Sequence, residues 1–290
     1  MSKNYVIFSD SGCDLPEEVI KQYKIGIVNF SFKIDEDSYN EKTAPFPINE
    51  FYNKMRAGSL TSTSQATPEQ FLEAFDEVLA GGKDILYIAF SSGLSGTYNS
   101  SLIAKDTLLE KYPERKIIVV DSLAASMGQG LFVYFAACLK EEGNTMEEVA
   151  EWCENNKLKI GHMFTVDDLI YLYRGGRVSR ATQIAGSILG IKPVLHVDDE
   201  GHLIAVGKVR GRKQALTALV DGMAERIGNH TENITVGISH GDCYDDLKFV
   251  MDLVSKKYKV KKFITSYIGP IIGSHSGPGT VALFFYADKR

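Results

Sequence analysis

The sequence predicts an α/β protein of two domains, an N-terminal doubly wound parallel sheet followed by a C-terminal α/β domain with antiparallel content. In the first half, strand-length apolar runs alternate with stretches of helical period, the pattern of parallel strands joined by helices. In the second half, two apolar runs flank the four-residue segment 198–201, a spacing typical of an antiparallel hairpin. A chain of 290 residues is long enough for two domains. We place them at 1–156 and 157–290.

Helix N-terminal signals follow the predicted strands of the first half. The segment 67–70 is a capping box with proline at the first helical position, and 145–148 repeats the box before a helix that ends near residue 156. We predict that Asp14 caps the first helix, because proline and acidic residues follow it. The functional face should be the carboxyl ends of these strands. The predicted buried strands are 5–8, 25–30, 85–90 and 117–120.

The second half changes order after residue 157. A strand, a short helix, a turn of glycine and arginine, and a further helix precede the predicted hairpin. Two more helices and three strands follow it. The predicted strands are 159–164, 193–197, 203–209, 234–238, 261–266 and 280–286, and the predicted helices are 167–173, 179–189, 211–227 and 243–257.

Composition excludes several classes of function. The formal net charge is −5 and the isoelectric point about 5.7, whereas nucleic-acid-binding surfaces usually need a basic excess. The six histidines show no metal-ligand spacing, and neither a P-loop nor a dinucleotide fingerprint is present. We therefore expect no nucleic-acid partner, no metal and no cofactor.

The N-terminus has no signal-peptide core, and no apolar run approaches the length of a membrane helix. The four cysteines are scattered and form no CxxC pair. We expect a cytoplasmic protein with free thiols and at most transient membrane contact.

The segment 91–97 is the most informative one. It follows a predicted buried strand and precedes a helix expected from residue 98 to about 110. Unpaired amides at a helix N-terminus attract anions. Three serines and a threonine add hydroxyl donors, and two glycines should let a ligand approach the backbone. A plain N-cap needs only one or two of these hydroxyls, so Ser95 and Gly96 are candidate anion-binding residues and Ser92 is an additional one.

Two further segments carry candidate residues. In 59–68, hydroxyls crowd the entrance of a helix, and Thr63 and Ser64 remain free once Thr67 serves the cap; the alternative is a flexible polar loop. In 269–280, four glycines and two prolines surround His275, which predicts a loop with an unusual backbone path. Loops carry functional sites disproportionately, so His275 is a candidate as well.

Two basic turns, 173–179 and 208–213, carry Arg174, Arg177 and Arg210 beside glycines. Arginine in such turns suits a phosphate or carboxylate partner. For any single one of these arginines, a solvated basic turn is the favoured interpretation.

Together these segments resemble the DegV family, the bacterial fatty-acid-binding proteins that serve as acyl-carrying subunits of the fatty acid kinase system. The resemblance spans nearly the whole chain. One departure is Ala66, where members often have proline after the Ser-Gln pair. The resemblance rests on the order and spacing of the segments 9–16, 63–68, 91–98, 121–122, 174–177 and 273–279.

The resemblance implies a two-domain DegV-like fold with one long-chain fatty acid, such as palmitate, stearate or oleate, in a tunnel between the domains. It implies that Thr63 and Ser95 bond the carboxylate and that His275 lies nearby. The matching arginines, Arg177 or Arg174 and Arg210, would dock the kinase or contact the phosphate. The protein would then be a non-catalytic subunit that presents its fatty acid to a separate fatty acid kinase, which forms the acyl phosphate.

Two other functions remain open at this point. A serine esterase or thioesterase would use Ser95 and His275, although the second glycine of a nucleophile elbow is missing after Ser95. A sugar- or dihydroxyacetone-phosphate enzyme would need a polar cavity. For the lipid carrier we expect a mouth of hydroxyls and helix amides without a buried cation, because a full cation would hold the carboxylate too firmly for later phosphorylation.

Overall fold

The computed structural model describes residues 4–41, 44–180 and 190–290. The strands are β1 (Tyr5–Asp10), β2 (Gly26–Val28), β3 (Ser31–Ile34), β4 (Asp37–Asn40), β5 (Thr61–Ser64), β6 (Asp84–Ala89), β7 (Ile117–Asp121), β8 (Ile160–Thr165), β9 (Ile191–Val197), β10 (Leu203–Arg210), β11 (Glu232–His240), β12 (Lys259–Tyr267) and β13 (Val281–Tyr286). The helices are α1 (Glu17–Tyr23), α2 (Ile48–Arg56), α3 (Pro68–Ala80), α4 (Thr97–Lys111), α5 (Met127–Glu141), α6 (Met146–Asn156), α7 (Ile170–Arg174), α8 (Arg212–Ala224), α9 (Tyr244–Lys257) and α10 (Pro270–Ser276).

The first half contains a four-stranded parallel sheet in the order β2-β1-β6-β7. Its central strands β1 and β6 are almost wholly buried, which explains their continuous apolar sequence. The predicted parallel sheet is confirmed. Both predicted capping boxes are present, at the start of α3 and of α6.

A second sheet in this half is antiparallel, in the order β4-β3-β5. The sequence pattern did not predict this sheet. Strand β5 consists of Thr61-Ser62-Thr63-Ser64, and its exposure alternates along the strand. Because all four side chains are polar, neither an apolar run nor an apolar–polar alternation identified it as a strand.

The second half forms a six-stranded mixed sheet in the order β10-β9-β8-β13-β11-β12. Neighbouring strands are antiparallel except β11 and β12. The predicted hairpin is confirmed, with His196 paired to Ile204. Residues 181–189, the main part of the predicted helix 179–189, lie outside the described residues.

Helix α5 packs against both large sheets, on β1 and β6 of one and on β8, β11 and β13 of the other. Its first half is almost completely buried, which explains why its sequence is apolar on all sides. All strands of the parallel sheet precede residue 157 and all strands of the six-stranded sheet follow it. We keep 1–156 and 157–290 as proposed domains. Within the described residues, no helix is long and apolar enough to span a bilayer.

The segment 269–280, predicted as a loop, contains the short helix α10. Pro270 occupies its first turn, where a missing amide hydrogen costs nothing. Gly273 faces Tyr52, and a Cβ there would come within 2.7 Å of the Tyr52 hydroxyl. Glycine therefore allows α10 to pack closely on α2, although glycine and serine alone are poor helix signals.

Candidate functional site

A cavity of about 470 Å³ lies where the loops after the parallel strands face the six-stranded sheet. Its polar side chains come mainly from β5, the β6–α4 loop and α10. Its apolar side chains come mainly from the six-stranded sheet and from α7 and α10. The lining residues are Phe30, Thr63, Ser64, Gln65, Phe90, Ser92, Gly93, Leu94, Ser95, Gly96, Ala125, Ser126, His162, Phe164, Leu172, Arg177, Val197, Leu203, Ile268, Ile271, Ile272, His275, Ser276, Thr280, Ala282 and Phe284.

Thr63 and His275, 212 residues apart in the chain, form a hydrogen bond in the cavity wall. Thr63 Oγ1 lies 2.7 Å from His275 Nε2. Strand β5 positions Thr63 through its pairing with Phe32 of β3. The imidazole lies against Gly175, where a Cβ would come within 2.1 Å of Nδ1. Glycine at 175 thus makes room for the ring that holds Thr63.

Ser95 ends a chain of polar groups that joins the two hydroxyl-rich segments. The Ala66 amide donates to Thr97 Oγ1 at 3.3 Å, and Thr97 Oγ1 lies 2.9 Å from Ser95 Oγ. The Thr97 amide also donates to Ser95 Oγ, at 3.3 Å. When the Thr97 hydroxyl donates to Ser95, the Ser95 hydrogen is left for a ligand. Within the described part of the chain, the Gly96 amide has no acceptor, so a helix-terminal donor is also left.

Arg177 lines the cavity as well, so the expectation of a mouth without a cation is wrong. Its guanidinium donates to the carbonyls of Gly175 and Leu94, the latter at 2.8 Å. Burial, together with the charge of Arg177, lowers the pKa of His275 to about 4. His275 is therefore neutral at neutral pH and serves as a hydrogen-bonding group instead of a second cation.

A smaller cavity of about 220 Å³ adjoins the first and shares Thr63, Arg177 and His275 with it. It is lined by hydroxyls of the segment 59–62 and by Arg174. Arg174 makes no ion pair with any residue that the structure describes. The Thr63–His275 pair therefore borders both the larger, mainly apolar cavity, which we call the inner cavity, and the smaller, more polar one, which we call the outer cavity.

Two buried carboxyls support the loops of the site. Asp10 accepts hydrogen bonds from the Phe90 amide at 2.9 Å and from the Tyr87 hydroxyl at 2.7 Å, which anchors the segment that leads to Ser95. Asp14 accepts from the Gly269 amide at 2.9 Å, directly before the helix that carries His275.

Burial raises the pKa of Asp10 to about 6 and that of Asp14 to about 7, because water no longer solvates the charged forms. The prediction that Asp14 caps α1 is wrong. Asp14 has a φ of 49°, which turns the chain, and Pro16 occupies the N-cap position. Neither supporting role was predicted from the sequence, although the position of Asp10 at the end of a buried strand was a usable signal.

The structure places the other candidates as follows. Ser64, Ser92 and Gly96 line the inner cavity. Arg210 does not: it ends β10 with an exposed side chain and lines neither cavity. The spacing of the basic turns in the sequence could not show that Arg210 lies outside the cavities, because the location of Arg210 depends on the position of β10 in its sheet.

The glycines of the β6–α4 loop contact protein. A Cβ on Gly93 would come within 2.7 Å of the Glu200 carbonyl oxygen, and one on Gly96 within 2.4 Å of Gln65 Oε1. Ser91 Oγ donates to the Gly201 carbonyl at 2.9 Å. These glycines thus admit the β9–β10 hairpin and a neighbouring side chain to the backbone, and both also line the cavity.

The geometry does not favour acyl-enzyme chemistry. Ser95 Oγ bonds to Thr97, and His275 Nε2 bonds to Thr63. His275 Nδ1 has no partner among the described residues, whereas a triad needs a carboxylate there to orient the base. A histidine with a pKa near 4 is also a weak base at neutral pH. Among the described residues, no group of three or more histidine, cysteine, aspartate or glutamate side chains is arranged to hold a metal.

Comparisons with known proteins agree in family and fold. The model of the DegV family of uncharacterised proteins matches residues 4–288. A DegV domain-containing protein of Clostridium perfringens is 46% identical over 289 residues, which cover 99% of each chain. A DegV lipid-binding protein of Thermotoga maritima has 30% identity, a TM-score of 0.87 and 99% coverage of each chain. A stearic-acid-binding protein of Eubacterium ventriosum has 26% identity, a TM-score of 0.89 and 98% coverage of each chain. By family match, sequence identity and fold, this chain belongs to the DegV family.

Proposed function

We propose that the protein binds one long-chain fatty acid, such as palmitate, stearate or oleate, and presents its carboxylate to a separate fatty acid kinase. One observation carries the proposal: a single cavity combines a hydroxyl-bearing wall at Thr63 and Ser95 with an apolar wall from the six-stranded sheet. A fatty acid needs both. The volume of the cavity, about 470 Å³, lies in the range of small-molecule sites, roughly 300–1,000 Å³.

The carboxylate is proposed to accept hydrogen bonds from Thr63, Ser95 and the Gly96 amide. His275 is the positioning residue for Thr63. When Nε2–H donates to Thr63 Oγ1, the threonine hydrogen is free for the carboxylate. Arg177 supplies positive charge near this site, while its own hydrogen bonds to two carbonyls keep it in the wall.

The tail is proposed to supply most of the affinity. At about 0.8 kcal/mol per buried methylene, a sixteen-carbon chain represents on the order of 10 kcal/mol of transfer free energy. Each carboxylate hydrogen bond contributes roughly 1.5–3 kcal/mol. The hydroxyls therefore mainly fix which end of the ligand faces the mouth. A sugar phosphate would leave the phenylalanine and leucine side chains of the inner cavity without an apolar partner.

The outer cavity is proposed to face the kinase. Arg174 and Arg177 border it, and arginine is the preferred partner of phosphate groups. After phosphoryl transfer, the new phosphate would lie between Thr63 and Arg174. Arg210 stays a candidate only for contact with the partner protein, because it lies at the surface outside both cavities.

Lipid extraction and native mass spectrometry of the protein purified from a bacterial host test the proposal. We expect one co-purified fatty acid per chain. Thr63→Val with Ser95→Ala should weaken binding by about 10- to 100-fold. The matched control Thr107→Val alters an exposed threonine of α4 whose hydroxyl donates to the Ile103 carbonyl and should bind like the wild type. An empty cavity with no affinity for added oleate would refute the proposal.

The carrier role has its own test. The purified protein with ATP and oleate should release no ADP and form no acyl phosphate, and both should appear when a fatty acid kinase catalytic subunit is added. ATP turnover by the protein alone would overturn the non-catalytic assignment while leaving fatty acid binding in place.

A further inference from the structure

Ser91 is a fully buried serine beside the loop of the proposed carboxylate site. It lies two residues after the end of β6. Its own side chain lines neither cavity, whereas the five residues that follow it, 92–96, line the inner cavity. Any effect of Ser91 on a ligand must therefore pass through those residues.

The backbone of Ser91 fixes the turn that leads to Ser95. The amides of Leu94 and Ser95 both donate to the Ser91 carbonyl, each at 3.1 Å. The Ser91 amide donates to the Ala124 carbonyl at 2.9 Å, which ties the start of the turn to the loop after β7. The positions of the Ser95 hydroxyl and of the adjoining Gly96 amide therefore depend on where Ser91 is held.

The hydroxyl of Ser91 joins this turn to the tip of the β9–β10 hairpin, residues 198–201. Ser91 Oγ donates to the Gly201 carbonyl at 2.9 Å and accepts from the Gly93 amide at 3.2 Å. The two backbones are in close contact here, since a Cβ on Gly93 would come within 2.7 Å of the Glu200 carbonyl oxygen. A Cβ on Gly201 would come within 2.1 Å of Ser91 Oγ. The hairpin tip therefore sets the position of the turn.

The hairpin tip is itself held by Arg290. Nη1 of this arginine donates to the Asp198 carbonyl at 3.0 Å and to the Leu123 carbonyl at 2.7 Å. The Gly201 amide donates to the same Asp198 carbonyl, at 3.0 Å. Directed hydrogen bonds thus fix the hairpin tip against the loops after β6 and β7, which gives Ser91 a rigid partner.

We propose that Ser91 is a positioning residue for the fatty acid carboxylate, through which the hairpin tip holds Ser95 and the Gly96 amide in the geometry that selects a carboxylate head group. The inference rests on the proposed fatty acid binding and adds to it a residue that determines head-group specificity. Without the Ser91 hydroxyl, the buried Gly201 carbonyl loses its donor, so the hairpin tip and the turn should shift apart. Hydrogen bonds weaken steeply when misaligned, and those to a carboxylate are the stronger ones to lose.

Oleate and oleyl alcohol are a matched pair of probes, because they share the chain and differ in the head group. Competition against a fluorescent fatty acid gives both dissociation constants, and their ratio, oleyl alcohol over oleate, measures selectivity for the carboxylate. From wild type to Ser91→Ala this ratio should fall at least about fivefold. A general loss of structure would weaken both probes alike and leave the ratio unchanged. A smaller fall overturns the inference.

Ser101→Ala is the matched control. Ser101 is also fully buried and lines neither cavity, and its hydroxyl donates to the Tyr98 carbonyl within α4 at 2.6 Å. Its ratio should equal that of the wild type, and a fall as large as in Ser91→Ala would contradict the inference.

Gly93→Ala is a second variant that separates the hairpin tip from the turn while the Ser91 hydroxyl stays in place. Its added Cβ would displace the Glu200 carbonyl, so the same fall in the ratio is expected. If Ser91→Ala does not fold, an unchanged ratio in Gly93→Ala overturns the inference. Failure of oleate itself to bind to the wild type would instead refute the proposed function, and this inference with it.

Discussion

Asp14 links the stability of the protein to pH, and Asp14→Asn tests the link. Burial raises the pKa of Asp14 to about 7 from an ordinary value near 4. Below pH 4 the carboxyl is protonated in both the folded and the unfolded chain. Between about pH 4 and pH 7 the unfolded chain loses this proton first, so unfolding becomes easier as the pH rises. At 1.36 kcal/mol per pH unit, a pKa difference of three units lowers the free energy of unfolding by on the order of 4 kcal/mol at pH 7 and above.

Asparagine should fit where the protonated aspartate does. Its carbonyl oxygen can accept from the Gly269 amide, as Asp14 Oδ1 does at 2.9 Å. Its amide can donate to Ser126 Oγ, the present partner of Asp14 Oδ2, and Ser126 can in turn donate to Ser239 Oγ at 2.9 Å. The variant thus keeps the hydrogen bonds and lacks the ionisation.

The assay is urea unfolding from pH 4 to pH 8, followed by the fluorescence of Trp152, the single tryptophan, which stacks on Phe132. The readout is the free energy of unfolding of Asp14→Asn minus that of the wild type at each pH, because the other buried carboxyls then largely cancel. This difference should rise by several kcal/mol between pH 4 and pH 8. Glu110→Gln, an exposed change, controls for the loss of one charge. A difference that stays constant over this range would refute the reasoning.

Two further predictions concern the helix and the histidine at the site. Gly273→Ala should destabilise the protein by about 1–3 kcal/mol, because the added Cβ would overpack against Tyr52. The control Gly207→Ala should destabilise it less, because the nearest neighbour of the added Cβ would lie 3.8 Å away. Equal losses of stability in urea unfolding would contradict the packing argument. Arg177→Gln should raise the pKa of His275 from about 4, because a nearby positive charge is removed. The pKa should stay below the ordinary value of 6.5, because burial is the larger cause of the shift. An NMR titration of the His275 ring that showed no rise would refute the assigned effect of Arg177.

Local signals in the sequence correctly predicted much of the fold. The capping boxes at Thr67 and Thr145 define helix starts that the structure reproduces, since a cap depends only on residues within one turn. The apolar runs of β1 and β6 predicted buried parallel strands for a similar reason: a strand covered on both faces needs apolar side chains at every position.

The parts that were missed depend on distant contacts. Strand β5 has no apolar pattern and exists because β3 pairs with it. Asp14 resembles a helix cap locally, yet the Gly269 amide, 255 residues away, determines its role. Arg210 and Arg177 occupy similar basic turns, and only the position of each turn in the fold separates a cavity residue from a surface residue.

By itself the sequence determined the class of fold, the hydroxyl-rich helix entrance at Ser95 and the choice of Thr63 and His275 as candidates. Only the tertiary structure decided that Thr63 and His275 bond to each other, that a cation stands beside them, and that Ser91 bonds to the β9–β10 hairpin. The physical reason is that propensity and capping act over a few residues, whereas a cavity is formed by side chains from many segments that only the packing of helices and sheets brings together.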